Sequence, residues 1–151
     1  MRSWLVATPA PAFYAVAFVA GILIDRALPW RPGWSQPLPW VGWLLLAIGV
    51  VLAPGSASLF GIRRTTLNPA GQPSRLVTQG TFRLSRNPMY LGLAVAYVGL
   101  ALVFRQAWPF VTLTAPLALL NFLVIPFEEA RMRDTFGDEY IAYCKRVRRW
   151  V

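Results

Sequence analysis

The sequence predicts an all-α membrane protein with about four transmembrane helices and a C-terminal helix on the cytoplasmic membrane surface. Of its 151 residues, 56% are hydrophobic and 14% are charged, whereas about a quarter of the residues of a soluble domain are charged. A helix needs about 20 apolar residues to cross a bilayer. Four apolar runs approach this length, at residues 10–28, 38–60, 90–104 and 107–127.

The second and fourth runs have the full spanning length. The first and third runs reach it only if flanking residues extend them. The first run includes Asp25 and Arg26, and the third is short. Flanking Trp, Tyr and Arg side chains that reach the membrane interface would complete both. A cleaved signal peptide would carry small residues where Asp25 and Arg26 stand, so we expect the first helix to be retained.

The net charge of +9 is concentrated in two parts of the chain, the connection at residues 60–86 and the C-terminal tail. The positive-inside rule places this connection and both termini in the cytoplasm of a multi-pass protein, and we expect a bacterial inner membrane. Anionic lipid headgroups are sufficient partners for the charge, so no nucleic acid is expected. With no histidine and a single cysteine, Cys144, neither a metal site nor a histidine-based triad is expected.

The third helix is predicted to begin at Arg86-Asn87-Pro88, with Asn87 as its N-cap and Pro88 in its first turn. The free N–H groups of such a helix start suit an anionic group such as a carboxylate. A capped helix start without a ligand is the alternative. If the third and fourth helices form an antiparallel hairpin, this start lies on the same membrane side as Glu128-Glu129. Charged groups beside lipid are costly and usually functional.

Small residues line one face of the third helix, at Gly92, Ala96 and Gly99. This spacing favours close packing against another helix in a membrane. Gly92, one turn beyond the polar start, is the position that could instead leave room for a ligand.

The tail is predicted to leave the membrane at Glu128, to stop near Gly137 and to begin a last helix at Asp138. Because it carries basic residues opposite an apolar face, this last helix is expected to be an amphipathic helix that lies on the cytoplasmic leaflet. The tryptophans are expected to anchor helix ends at the interface. The apolar face of the last helix comprises Tyr140, Tyr143, Cys144 and Val147.

Several short motifs occur in a recognisable order. They are Leu76-Val77-x-x-Gly80-x-Phe82, Arg86-Asn87-Pro88-Met89-Tyr90-Leu91-Gly92, Glu128-Glu129, Phe136-Gly137-x-x-Tyr140-x-x-Tyr143 and Arg149-Trp150. Together they resemble the isoprenylcysteine carboxyl methyltransferase family, whose superfamily includes the phospholipid N-methyltransferases. The resemblance implies one membrane methyltransferase domain over residues 1–151 that uses S-adenosylmethionine. Residues 1–60 would be a two-helix scaffold, and residues 61–151 would bind the cofactor.

The resemblance also implies site residues. Arg86, Glu128 and Glu129 are the expected catalytic residues, with Glu128 also hydrogen bonding to the cofactor and Glu129 pairing with arginines such as Arg86 or Arg131. The expected cofactor-binding residues are Ser74, Arg75, Leu76, Val77, Phe82, Asn87, Pro88, Met89, Tyr90 and Glu128.

Two positions depart from the family pattern. Asn87 replaces the histidine of an Arg-His-Pro version of the motif, which removes a titratable group. Val124 stands where the eukaryotic enzymes carry a substrate-binding arginine, so prenylcysteine is not implied as the substrate. The acceptor is expected to be amphipathic or lipid-like and to enter from the bilayer, with a carboxylate, amine or thiol as nucleophile. A non-catalytic small membrane protein and an NADPH-dependent reductase of the sterol-reductase type are the alternatives.

Overall fold

A computed structural model describes residues 8–29, 38–62 and 75–151, and these residues form helices and turns. Ser74, Trp4, Trp30 and Trp34 lie outside the described residues. The helices are α1 (Ala10–Ala27), α2 (Leu38–Ile62), α3 (Pro88–Val103), α4 (Trp108–Thr112), α5 (Thr114–Leu119) and α6 (Ile125–Arg146), with a 3₁₀ turn at Gly80–Arg83 and a π-helical turn at Leu120–Val124.

Three helices in the described part of the chain are long and apolar enough to cross a membrane. They are Ala10–Ala27, Pro39–Leu59 and the C-terminal helix Trp108–Arg146, which joins α4, α5, the π-helical turn and α6. α3 is apolar but has only 16 residues. The predicted all-helical fold is therefore confirmed for the described residues, with three candidate membrane spans, and a fourth span remains a prediction.

Glycines bring the backbones of α2 and α3 into direct contact. A Cβ atom added at Gly92 would lie 2.7 Å from the backbone nitrogen of Ala53, and one added at Gly49 would lie 2.5 Å from the carbonyl oxygen of Gly92. A Cβ atom at Gly99 would meet the backbone of Leu46. The predicted packing face of α3 is confirmed. The space beside Gly92 is filled by α2, so the suggestion that Gly92 leaves room for a ligand there is wrong.

α1 packs on the other side of the bundle, against α3 and the C-terminal helix. The Tyr97 ring contacts those of Phe18 and Tyr14 edge-on, with centroids 5.0 and 6.2 Å apart. These rings belong to a core whose buried members are Tyr14, Ala17, Tyr97, Leu113, Leu120, Val124 and Ile125.

The C-terminal helix is interrupted at Gly137, whose backbone is non-helical with φ 49° and ψ −124°. Glycine tolerates a positive φ because it has no Cβ. The predicted break at this residue is confirmed. Tyr143, on the apolar face of the last helix, is buried in protein and does not face lipid, and its hydroxyl donates to the Phe82 carbonyl at 2.7 Å. A location of this segment in the membrane interface stays a prediction.

Candidate functional site

Tyr90 and Glu128 form the link between the start of α3 and the start of α6. The Tyr90 hydroxyl donates to Oε1 of Glu128 at 2.8 Å. The Tyr14 hydroxyl of α1 donates to the carbonyl oxygen of Tyr90 at 3.1 Å, so α1 supports the same turn. The predicted antiparallel hairpin is confirmed by this contact, since residues 38 positions apart meet at one end of the bundle.

Glu129 is buried and is surrounded by guanidinium groups. Arg149 donates to both of its carboxylate oxygens, at 3.1 Å from Nε and 2.7 Å from Nη2. Arg86 lies 3.2 Å from one oxygen and Arg133 lies 3.6 Å from the other. The expected pairing with Arg86 is confirmed. Arg131 instead lies over the Phe127 ring, 5.8 Å from its centroid.

A fork-shaped guanidinium matches both oxygens of a carboxylate, which makes such a pair both strong and directional. The hydrogen bond with Glu129 raises the pKa of Arg149 above its ordinary value. Arg149 therefore stays protonated throughout the physiological pH range.

The last residues of the chain fold back over the start of α3. We call residues 148–150 the C-terminal strap. The backbone N–H of Arg86 donates to the Arg148 carbonyl at 2.9 Å. The Arg149 carbonyl accepts from Oγ of Ser85 at 3.1 Å and from Nδ2 of Asn87 at 3.0 Å. The strap thus fixes the turn that precedes α3.

Trp150 completes the strap and contacts the apolar part of the C-terminal helix. Its indole N–H donates to Oδ1 of Asn121 at 3.1 Å, and its ring packs against the hydrophobic core. Asn121 lies in the π-helical turn. The indole of Trp150 is thus held by a polar partner inside the protein, and its role as an interfacial anchor stays a prediction.

Asn87 occupies the N-cap position of α3, but its side chain does not cap the helix. The expected capping bond, which Oδ1 would accept, is absent at this described residue. The amide is instead oriented by the strap, since its Nδ2 donates to the Arg149 carbonyl. Pro88 begins the helix as predicted. The backbone N–H of Asn87 donates to Oγ of Ser85 at 3.0 Å, so the buried Ser85 hydroxyl organises the turn instead.

The remaining predicted cofactor-binding residues differ in exposure. Val77 and Phe82 are buried, Leu76 and Met89 are partly buried, and Arg75 is exposed. The Phe82 carbonyl is bonded to Tyr143, which ties the 3₁₀ turn to α6. These contacts place Phe82 beside the site, and the structure gives no equivalent tie for Arg75.

Sequence reasoning gave no site role to four residues that shape the site: Tyr14, Ser85, Asn121 and Arg149. Tyr14 was assigned to a scaffold, and Asn121 is the one amide side chain in the apolar run at residues 107–127, which was a usable signal. Arg149 lies in the Arg149-Trp150 motif, but the motif alone gave it no role in the site.

The site also contains a buried donor that is not satisfied. Nε of Arg86 is buried and has no hydrogen-bond partner among the described residues, while another nitrogen of the same guanidinium donates to the Cys144 sulfur. No group of three or more metal-ligating side chains occurs within the described ranges. The structure therefore has a carboxylate held by a phenol of the first turn of α3, an unused cationic donor two residues before α3, and the N-terminus of α3 itself.

Comparison with known proteins gives relatives of one kind. Methanethiol S-methyltransferase 1 of Bradyrhizobium diazoefficiens is 30% identical over 109 residues, which are 70% of this chain and 37% of that protein. A probable protein-S-isoprenylcysteine O-methyltransferase of Oryza sativa subsp. indica is 36% identical over 75 residues, or 48% of this chain and 38% of that protein. Protein-S-isoprenylcysteine O-methyltransferase B of Arabidopsis thaliana is 29% identical over 142 residues, or 89% of this chain and 71% of that protein.

The chain thus spans little more than a third of the length of the first two of these relatives. No solved structure matches it. The profile of the phospholipid methyltransferase family matches residues 38–139. This region contains α2, α3 and the Tyr90–Glu128 pair. Because the match covers more than half of the sequence, the chain belongs to the phospholipid methyltransferase family.

Proposed function

We propose that this protein is an integral membrane methyltransferase that uses S-adenosylmethionine. The observation that carries the proposal is the Tyr90–Glu128 hydrogen bond, which lies within the family match and joins two membrane-embedded helices at their polar ends. The family match favours this function over a non-catalytic membrane protein or an NADPH-dependent reductase.

The residues at this place fit the charges of S-adenosylmethionine. The buried Nε–H of Arg86 lacks a partner among the described residues, and the first turn of α3 is the positive end of a helix. Both suit the methionine carboxylate. Glu128 supplies the negative charge that suits the amino group, the ribose hydroxyls or the sulfonium. When bound, the cofactor supplies an electrophilic methyl group.

The protein's own contribution would be alignment and exclusion of water. An in-line displacement needs little acid–base assistance when the nucleophile is already a carboxylate, thiolate or free amine. Holding two reactants in line is worth effective molarities of about 10⁵–10⁸ M. The Tyr90 hydroxyl orients Glu128, and Tyr14 fixes the backbone of Tyr90. The strap and the core around Trp150 separate this region from bulk water.

We propose an amphipathic or lipid-like acceptor, because the site lies where apolar helices end. The relatives are named for an isoprenylcysteine oxygen and for the sulfur of methanethiol, so both oxygen and sulfur nucleophiles are candidates. Val124 is buried in the core, and a valine cannot form the ion pair that the eukaryotic substrate arginine would form. This favours an acceptor other than prenylcysteine.

The test is a titration of detergent-purified protein with S-adenosylhomocysteine and, separately, with NADPH. We expect wild type to bind the first and not the second. Glu128→Gln should weaken binding about tenfold to a hundredfold, because a hydrogen bond to a charged group contributes about 1.5–3 kcal/mol. Glu139→Gln, at an exposed position on the same helix, is the matched control and should bind as wild type does.

Unchanged affinity in Glu128→Gln would remove Glu128 from the site, and binding of NADPH alone would overturn the methyltransferase proposal. Membrane extracts incubated with a labelled methyl donor would then identify the acceptor. Label should appear in an organic-soluble product with wild type and be much reduced with Glu128→Gln.

A further inference from the structure

The two adjacent glutamates have different surroundings, which separates their roles. Glu128 receives a hydrogen bond from a phenol in the hairpin. Glu129 is enclosed by Arg86, Arg133 and Arg149, and both of its oxygens are engaged by Arg149. A carboxylate whose oxygens are already held by guanidinium groups has little capacity left for a ligand.

The C-terminal strap that Glu129 holds lies outside the region matched by the family profile, which ends at residue 139. Its backbone carbonyls accept from Ser85, Arg86 and Asn87, which are the three residues directly before α3. These bonds join neutral groups, and each is weaker than a hydrogen bond between charged groups. The bidentate ion pair with Glu129 is therefore the strongest single contact that keeps the strap in place.

Arg86 connects the strap to the site. Its backbone N–H bonds to the strap, and its guanidinium lies 3.2 Å from Glu129 and contacts the sulfur of Cys144. α3 begins two residues later, and Tyr90 follows in its first turn. A shift of the strap would move Arg86 and, through the helix start, the hydroxyl that orients Glu128.

Resting on the proposed function, we propose that Glu129 and Arg149 are positioning residues and not catalytic ones. Their ion pair closes the C-terminal strap over residues 85–87 and so fixes Arg86 and the start of α3 for binding of the methyl donor. Glu129 acts through Arg149 and Arg86 and does not itself contact the cofactor.

A double-mutant cycle with S-adenosylhomocysteine binding tests this role. We expect Glu129→Gln and Arg149→Met each to weaken binding about tenfold, and the double variant to be no weaker than Glu129→Gln alone, because the two residues act as a unit. Arg149→Lys should restore part of the loss, since it keeps the charge but not the fork. Lys145→Met, which removes the same charge from an exposed position of the tail, should bind as wild type does.

Alkylation of Cys144 by N-ethylmaleimide in the native protein gives a second readout that does not depend on any ligand. Cys144 is the chain's only cysteine and is partly buried against Arg86. We expect it to react several-fold faster in Arg149→Met and at the wild-type rate in Lys145→Met. If Arg149→Met merely destabilised the protein, its melting temperature would fall in proportion to its loss of affinity and to its faster alkylation, and the positioning role would be overturned.

Suppose that wild type binds S-adenosylhomocysteine. Unchanged affinity in Arg149→Met, or losses that simply add in the double variant, would then overturn this inference and leave the proposed function standing. Absence of S-adenosylhomocysteine binding in wild type would overturn the proposed function and this role with it. If Glu129→Gln does not fold, the Arg149→Met and Arg149→Lys pair decides, because the Arg149 side chain is one-third exposed and its replacement leaves Glu129 paired with Arg86.

Discussion

Replacing Tyr90 with phenylalanine removes one hydroxyl and leaves the ring in place. The lost contact is the 2.8 Å bond to Oε1 of Glu128. Since a hydrogen bond to a carboxylate contributes about 1.5–3 kcal/mol, and about 1.4 kcal/mol corresponds to a factor of ten, the full loss would weaken cofactor binding by tenfold to more than a hundredfold. The Tyr14 hydroxyl still donates to the backbone carbonyl of residue 90 in this variant. We therefore expect a loss of affinity near tenfold.

The matched control for Tyr90→Phe is Tyr97→Phe, the same substitution two turns further along α3. The Tyr97 hydroxyl shares a 2.8 Å hydrogen bond with Thr112, which is neutral, so its loss should lower the melting temperature modestly. Titration calorimetry with S-adenosylhomocysteine and thermal melts in detergent measure both quantities. Equal loss of affinity in the two variants, or wild-type affinity in Tyr90→Phe, would refute the assignment of Tyr90 to the site.

Three further predictions concern the fold. Gly99→Val should unfold the bundle or cost more than about 3 kcal/mol in a denaturant titration in detergent, because the side chain would enter the backbone of α2; a fully folded variant would contradict the packing. Gly137→Ala should lower stability by about 1–2 kcal/mol in thermal melts, since alanine is strained at a positive φ, and an unchanged melt would refute this. In a Cys144→Ser background, cysteines at Gln79 and Arg105 should label from opposite membrane sides in intact cells, and same-side labelling would refute the predicted topology.

The hairpin was predictable because two apolar runs joined by a short turn must return to the same membrane side. This rule predicts that the start of α3 and Glu128 lie on one membrane side, and the structure places Tyr90 and Glu128 in contact. The close packing of α3 was also predictable, because helices that approach closely need small residues at regular spacing, and this spacing is visible in the sequence.

The strap was not predictable, because its contacts join residues about sixty positions apart through backbone carbonyls. A carbonyl carries no signature of residue type. Asn87 shows the consequence. Local rules predict that its side chain caps α3, but the side chain instead donates to the Arg149 carbonyl in the tail. The burial of Tyr143 was missed similarly, since an amphipathic face does not reveal whether lipid or protein covers it.

The short length of α3 has a consequence for the depth of the site. Sixteen residues extend about 24 Å, whereas the hydrocarbon layer is about 30 Å thick. If the far end of α3 reaches the opposite boundary, its first turn lies several ångströms beneath the headgroups, in the zone of the upper acyl carbons. Backbone contact with the 25-residue α2 lets a short helix remain there. A lipid-like molecule could then present its polar end to Glu128 by lateral diffusion, without its chain leaving the bilayer.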